Sequence, residues 1–163
     1  MKRRCLILGL LFGTLFIVSR SSFAVDYVTG AFETSKGLSI ANVVEGGRTV
    51  YLSGGDGAID ENGKDISNNL EAQVRHIFYV FEHTLNKAGG TTADIVKLTV
   101  FLKDIKDRNS FNALRKTLFV DGNYPASSLV IVKELPQPEW VVEIDAIAVI
   151  GDKCAAGRCV DGK

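Results

Sequence analysis

Apolar and polar positions along this chain follow three rhythms. Residues 5–18 are almost unbroken apolar sequence, interrupted only by Gly9, Gly13 and Thr14. Residues 49–53 (Thr-Val-Tyr-Leu-Ser) alternate as a strand does, and stop at Gly54-Gly55-Asp56-Gly57, with a second turn at Asp60-Glu61-Asn62-Gly63. Leu70, Val74, Ile77, Phe78, Phe81 and Leu85 then recur at three- and four-residue spacing, which predicts one face of a long helix. Asp65 or Ser67 is placed to cap its start and Gly89-Gly90 to end it. Residues 95–102 return to a strand pattern. A second helix is expected from near Asp107, with Phe111, Leu114 and Leu118 turned inward, ending by Gly122. Residues 128–132 and 141–150 read as two closing strands linked through Pro136-Gln137-Pro138, and residues 28–44 as one or two further strands.

Two helices serving five or six strands imply an α+β fold: a mixed sheet with both helices packed on one face. On the last strand Val142, Ile144, Ala146 and Ala148 form the apolar row that suits the helices. The opposite row, Val141, Glu143, Asp145, Ile147 and Val149, mixes carboxylates with large apolar groups. Such a face is too apolar to be simply solvated, and a subunit partner is expected to cover it, leaving a cleft with polar groups in it.

The apolar run at residues 5–18 is shorter than the ~20 residues a membrane-spanning helix needs. It follows the basic Met1-Lys2-Arg3-Arg4 and precedes Ser22-Phe23-Ala24, so residues 1–24 read as a cleaved secretory signal peptide. The product is then periplasmic or secreted, with no membrane attachment after cleavage. Residues 25–150 form one domain and 151–163 a C-terminal tail. Removing the signal takes four basic residues from 19 and leaves 15 against 19 acidic ones, a net charge of −4. That balance argues against a nucleic-acid partner, which requires clustered Lys and Arg. Cys5 leaves with the signal. Cys154 and Cys159 remain, and an oxidising compartment favours a disulfide between them. A redox or metal pair is the alternative, weakened by a spacing other than C-x-x-C and by the absence of further ligands.

Glu143 and Asp145, two apart on one strand face, are the strongest candidates for chemistry. Paired carboxylates in a half-buried site can hold a water or accept its proton; the competing assignment is hydrogen bonding across a subunit contact. His76 and His83 lie seven apart, two helical turns, which is too far to share a metal, and no metal site is expected. The glycine cluster at 54–57 lacks the Lys and Ser or Thr of a phosphate loop, and no G-x-S-x-G elbow is present.

Five ordered segments carry a resemblance: Val50-Tyr51-Leu52-Ser53-Gly54; Asp94-Ile95-Val96-Lys97-Leu98-Thr99-Val100-Phe101-Leu102-Lys103-Asp104; Asn112; Tyr124-Pro125-Ala126; and Val142-Glu143-Ile144-Asp145-Ala146-Ile147-Ala148. Together they resemble the reactive intermediate deaminase family, called RidA or YjgF and also L-PSP endoribonuclease, over residues 37–150. The resemblance implies a chorismate-mutase-like fold and a homotrimer with small-ligand clefts between subunits. It also implies a cofactor-free hydrolysis of imines and enamines to keto acids and ammonia, as in a 2-iminobutanoate/2-iminopropanoate deaminase. Ser53 and Asn112 match ligand-binding positions, and Glu143 matches the Glu that positions the attacking water; Asp145 is its neighbour on the same face. Ser127 departs from the family, whose active members carry there an Arg that grips the substrate carboxylate. Leu129 stands where a Cys is common, and Gly37-Leu38-Ser39-Ile40 lacks the family's Pro and Tyr. A neutral Ser cannot supply the paired charge-assisted bonds of a guanidinium. Deaminase activity is therefore expected to be lost or reduced, unless the chain is an active deaminase with a different anchor, for which Lys133 or Arg48 is available. Ribonuclease activity fits poorly with an acidic chain.

Overall fold

The computed structural model describes residues 24–55, 57–119 and 122–151. The chain opens with strand β1 (Ala24–Val28), a short helix α1 (Ala31–Lys36) and strand β2 (Ala41–Glu45), β1 and β2 pairing antiparallel as a separate two-stranded sheet. Strand β3 (Arg48–Gly55), helix α2 (Leu70–Lys87), strand β4 (Ile95–Leu102), helix α3 (Arg108–Leu118), strand β5 (Ala126–Ile131) and strand β6 (Val142–Ile150) follow. They make a four-stranded mixed sheet in the order β3-β6-β4-β5. β4 and β5 are parallel, and α3 supplies the crossover between them.

The expected α+β architecture is present, with two corrections. Among the described residues there are three α-helices rather than two: α1 holds no buried residue, so it carries no apolar stripe from which its six residues could be read. The first two strands form their own sheet instead of extending the main one. The cap of α2 also moves. Asn69, not Asp65 or Ser67, accepts the Ala72 amide at 3.0 Å, while Asp65 accepts the Ser67 amide at 2.8 Å in the turn before it.

β4 and β6 alternate between buried and half-buried positions along most of their length, as a sheet packed on one side does. Leu98, Val100, Leu102, Val142, Ile144, Ala146 and Ala148 face Val74, Ile77, Phe78, Phe81 and Leu85 of α2 and Phe111 and Leu114 of α3. The buried Gln73 donates to the Ile66 and Glu139 carbonyls and accepts the Val141 amide at 2.9 Å, which ties the start of β6 to the first turn of α2. Both long helices lie on this face. The other face carries Tyr51, Lys97, Thr99, Phe101, Ser128, Val130, Glu143, Asp145 and Ile147, with Tyr51 78 % exposed.

Candidate functional site

Three elements meet beside the start of β5. Gly37 ends α1 in the left-handed conformation, at φ 71°, with its amide directed at the Glu33 and Thr34 carbonyls. Ser39, buried, donates from Oγ to the Tyr124 carbonyl at 2.7 Å and pairs with Ala126. This pins the 37–40 segment against β5 and sets the C-terminal end of α1 beside Ser127. α3 runs along the same place and presents Asn112 and Arg115. The result is a hollow of about 420 Å³ lined by Phe32, Lys36, Leu38, Arg108, Asn112, Arg115, Ser127 and Leu129. That size suits a small molecule. It gathers Asn112, Ser127, Leu129 and Leu38, all positions singled out in the sequence from separate segments.

Its floor is a residue that the sequence reading passed over. Arg115 is 1 % exposed. Its Nη1 donates to Ser127 Oγ at 2.7 Å, and its Nη2 donates to the Lys36 carbonyl at 2.7 Å and to Asn112 Oδ1 at 3.0 Å. The guanidinium lies over the Phe111 ring, 5.3 Å from its centroid. Nε is buried without a hydrogen-bond partner, and among the described residues no ion pair includes Arg115. Burial pushes its pKa down to about 10, with Tyr124 working in the opposite direction, so it is charged at neutral pH. The signal was present in the pattern: Arg115 is four residues after Phe111 and three before Leu118, inside the stripe assigned to the core.

Neither cation considered for the anchor is here. Lys133 is on the surface, its Nζ 3.8 Å from Glu134 Oε1, and Arg48 donates to the Ala88 carbonyl at 2.6 Å.

The remaining candidates occupy the opposite side of the sheet. Ser127 pairs with Leu98, which pairs with the buried Ala146, so Ser127 belongs to the helix-side rows. Glu143 pairs with Phe101 on the other side, and Asp145 with Thr99. Asp145 lines a smaller hollow of about 260 Å³ with Tyr51, Lys97, Thr99 and Ile147. Lys97 donates to Ser128 Oγ at 2.8 Å, and partial burial lowers its pKa. Ser53 is exposed on β3, two residues from Tyr51 on the same side. Gly54, next to it, has no Cβ because Glu143 fills that space: a Cβ there would come within 2.9 Å of Glu143 Cγ and 3.0 Å of Cδ. Within one chain, then, Asn112 and Ser127 line one hollow, while Glu143 and Asp145 face the opposite side of the sheet.

His76 Nδ1 donates to Glu61 Oε2 at 3.0 Å and its ring stacks toward Tyr79, while His83 is exposed, in keeping with boundary and surface positions. Among the described residues no three His, Cys, Asp or Glu side chains gather as a metal site, and no helix is long and apolar enough to cross a membrane. Residues 1–23, Cys154 and Cys159 lie outside the described residues.

A mixed sheet covered on one side by two crossover helices, with Lys36, Arg108 and Arg115 lining a hollow at its parallel edge, defines an α+β fold of sheet-and-helix layers. The family model for endoribonuclease L-PSP matches residues 31–150, and the chain belongs to that family. Among curated relatives it is 34 % identical to a rat 2-iminobutanoate/2-iminopropanoate deaminase over 110 residues, covering 68 % of this chain and 79 % of the relative. It is 37 % identical to a RutC family protein of Haemophilus influenzae over 103 residues, 61 % of this chain and 78 % of that one. Solved structures of the family share the fold. A Rid-family protein from Yersinia pestis superposes with TM-score 0.68 at 24 % identity, covering 77 % of this chain and 98 % of the other. A YjgF-family protein from Mycobacterium tuberculosis does so with TM-score 0.54 at 29 % identity, covering 78 % and 100 %.

Proposed function

We propose that the protein is an exported, homotrimeric hydrolase of small imino or enamino acids, slower than relatives that carry an Arg on β5. The observation that carries this reading is the single hollow uniting Leu38, Asn112, Ser127 and Leu129 next to a guanidinium. Relatives named as 2-iminobutanoate/2-iminopropanoate deaminases give the reaction class. Water adds to the C=N carbon, and the carbinolamine collapses to a keto acid and ammonia, so one water is consumed and no cofactor takes part.

The trimer accounts for the division of the site. The side of the sheet bearing Tyr51, Val130 and Ile147 lacks a helix cover, and large apolar groups there favour a protein partner. A second subunit packed on it brings the Glu143 of one chain to the β5 edge of the next. Glu143 then holds the attacking water and takes its proton. Ser53 and Asp145 line the same cleft. The reduced rate follows from Ser127, whose neutral hydroxyl stands at the position of the family's anchoring Arg. The purified mature protein, given imines generated by an amino-acid oxidase, should raise keto acid and ammonia release above the uncatalysed rate. No acceleration at any protein concentration would sink the hydrolase reading, and a monomer by light scattering would remove the shared cleft.

A further inference from the structure

We infer that Arg115, reaching over from α3, is the residue that binds the carboxylate of the ligand, with Ser127 as its positioning partner on β5.

The first argument is from charge. A guanidinium buried to 1 % exposure, without an acidic partner among the described residues, is an incomplete arrangement. Buried charges in proteins are normally paired, and here the partners are a carbonyl, an amide oxygen and a hydroxyl, all neutral. Among the described residues no acidic side chain lines the hollow, whereas Lys36 and Arg108 also do. The described charges that an anion meets there are all positive.

The second argument is a count of donors. A guanidinium has five N–H groups, and described partners take three. Nε–H and one Nη1 hydrogen remain, and Nε is fully buried with no hydrogen-bond partner among the described residues. Ser127 Oγ accepts from Arg115, so its own hydroxyl proton is free to donate onward. Asn112 must turn Oδ1 toward the guanidinium, which leaves its Nδ2 hydrogens free as well. The hollow therefore offers a fixed cation flanked by two neutral donors. That set is complementary to a carboxylate.

The third argument concerns rigidity. Arg115 is held by α1, α3 and β5 at once, so the charge is set in place before a ligand arrives and little side-chain freedom is lost on binding. A small residue at 127 is what makes room: the guanidinium ends at the Ser127 hydroxyl, filling the space a longer β5 side chain would occupy.

This inference rests on the proposed small-acid ligand but not on hydrolysis. The test is a titration of the ¹⁵N-labelled mature protein with 2-oxobutanoate, and with the neutral 2-oxobutanamide as control. The acid should shift the Arg115 Nε–H and Asn112 Nδ2 resonances saturably, and the amide should not. Calorimetry should show Arg115→Gln binding the acid about 30-fold or more weakly, the size expected for a lost charge-assisted contact. Arg115→Lys should recover part of that loss, and Ser127→Ala should cost a few-fold. A folded Arg115→Gln with unchanged affinity makes Arg115 a space-filling structural residue and overturns the inference. So does saturable binding that leaves the Arg115 signals unmoved, or no binding of the acid at all; because these are read on the parent protein, a variant that fails to fold does not protect the idea. Binding through Arg115 without imine hydrolysis would reject the hydrolase reading alone. Hydrolysis with a KM insensitive to Arg115→Gln would reject this inference alone.

Discussion

Placing an Arg at position 127 on β5 should harm this protein. In Ser127→Arg the hydroxyl that accepts the Arg115 Nη1 bond at 2.7 Å is replaced by a second guanidinium. Two unit charges about 5 Å apart repel by roughly 3 kcal/mol at an effective dielectric near 20. Loss of a hydrogen bond to a buried charge adds about 1.5 kcal/mol or more. The new side chain can relieve part of the repulsion by turning toward the open side of the hollow, so a net loss of about 2 kcal/mol is expected. For a chain of this size that lowers Tm by roughly 6–8 °C at fixed protein concentration. Imine hydrolysis should not improve, because two cations compete for one carboxylate position. Moving the charge instead of doubling it should succeed: Ser127→Arg combined with Arg115→Leu should regain most of the lost Tm and hydrolyse imines faster than Ser127→Arg alone. The double-mutant cycle should show coupling of about 2 kcal/mol. Scanning calorimetry and the oxidase-coupled assay on the four proteins decide the matter. If Ser127→Arg by itself is as stable as the parent and more active, Arg115 does not occupy the anchor position in solution and the reasoning fails.

Glu143→Gln keeps the shape of the carboxylate but cannot take a proton from water, so kcat for imine hydrolysis should fall about 100-fold or more with the trimer intact by light scattering. Ile147→Asp, on the side of the sheet that no described helix covers, should convert the proposed trimer to monomer on a sizing column and abolish hydrolysis with it. The turn before α2 should loosen in acid. The Lys64 and Asn62 amides hold the Asp60 carboxyl below its usual pKa, the His76 ring holds Glu61 below its own, and the Ser67 hydroxyl and amide do the same for Asp65. A depressed folded pKa contributes stability above the unfolded value, near 4, that is lost as pH falls through the folded one; hydrogen exchange should show the Asn62, Lys64 and Ser67 amides losing protection below about pH 4 while Leu98 and Ile144 keep theirs. Mass spectrometry of the exported product should give Val25 as the N-terminus and a mass two hydrogens short through a Cys154–Cys159 bond; a retained leader or two free thiols would count against export processing or the disulfide respectively.

What could be read from the sequence depended on whether a residue's environment was set by its own neighbours. β4 and β6 were legible to within a residue because alternation records which side each residue faces. The long helices were legible through their apolar stripes, although the cap of α2 was misplaced: Asp65 and Asn69 are both good cappers, and only the path of the chain decides that Asp65 closes the turn and Asn69 the helix. α1 was illegible because its position is fixed by distant partners, the Ser39 contact to Tyr124 and the Arg115 contact to the Lys36 carbonyl. The site divides in the same way. Ser53, Asn112, Ser127 and Glu143 were found as members of local motifs, but their assignment to two sides of one sheet follows from strand register.

Arg115 shows where a reading by residue type goes astray. A cation within a stripe of Phe111, Leu114 and Leu118 is easily treated as a surface residue beside the core. The buried position costs the charge its water, and that cost is met here by the last carbonyl of α1, an amide oxygen and a hydroxyl. The carbonyl end of a helix carries partial negative charge, so the Lys36 contact favours a cation at this point over a neutral donor. Each of these partners is neutral, which leaves the guanidinium's net charge available to a ligand. Arg115, delivered from α3, ends at the Ser127 hydroxyl. In this chain Ser127 accepts a hydrogen bond from the cation it makes room for.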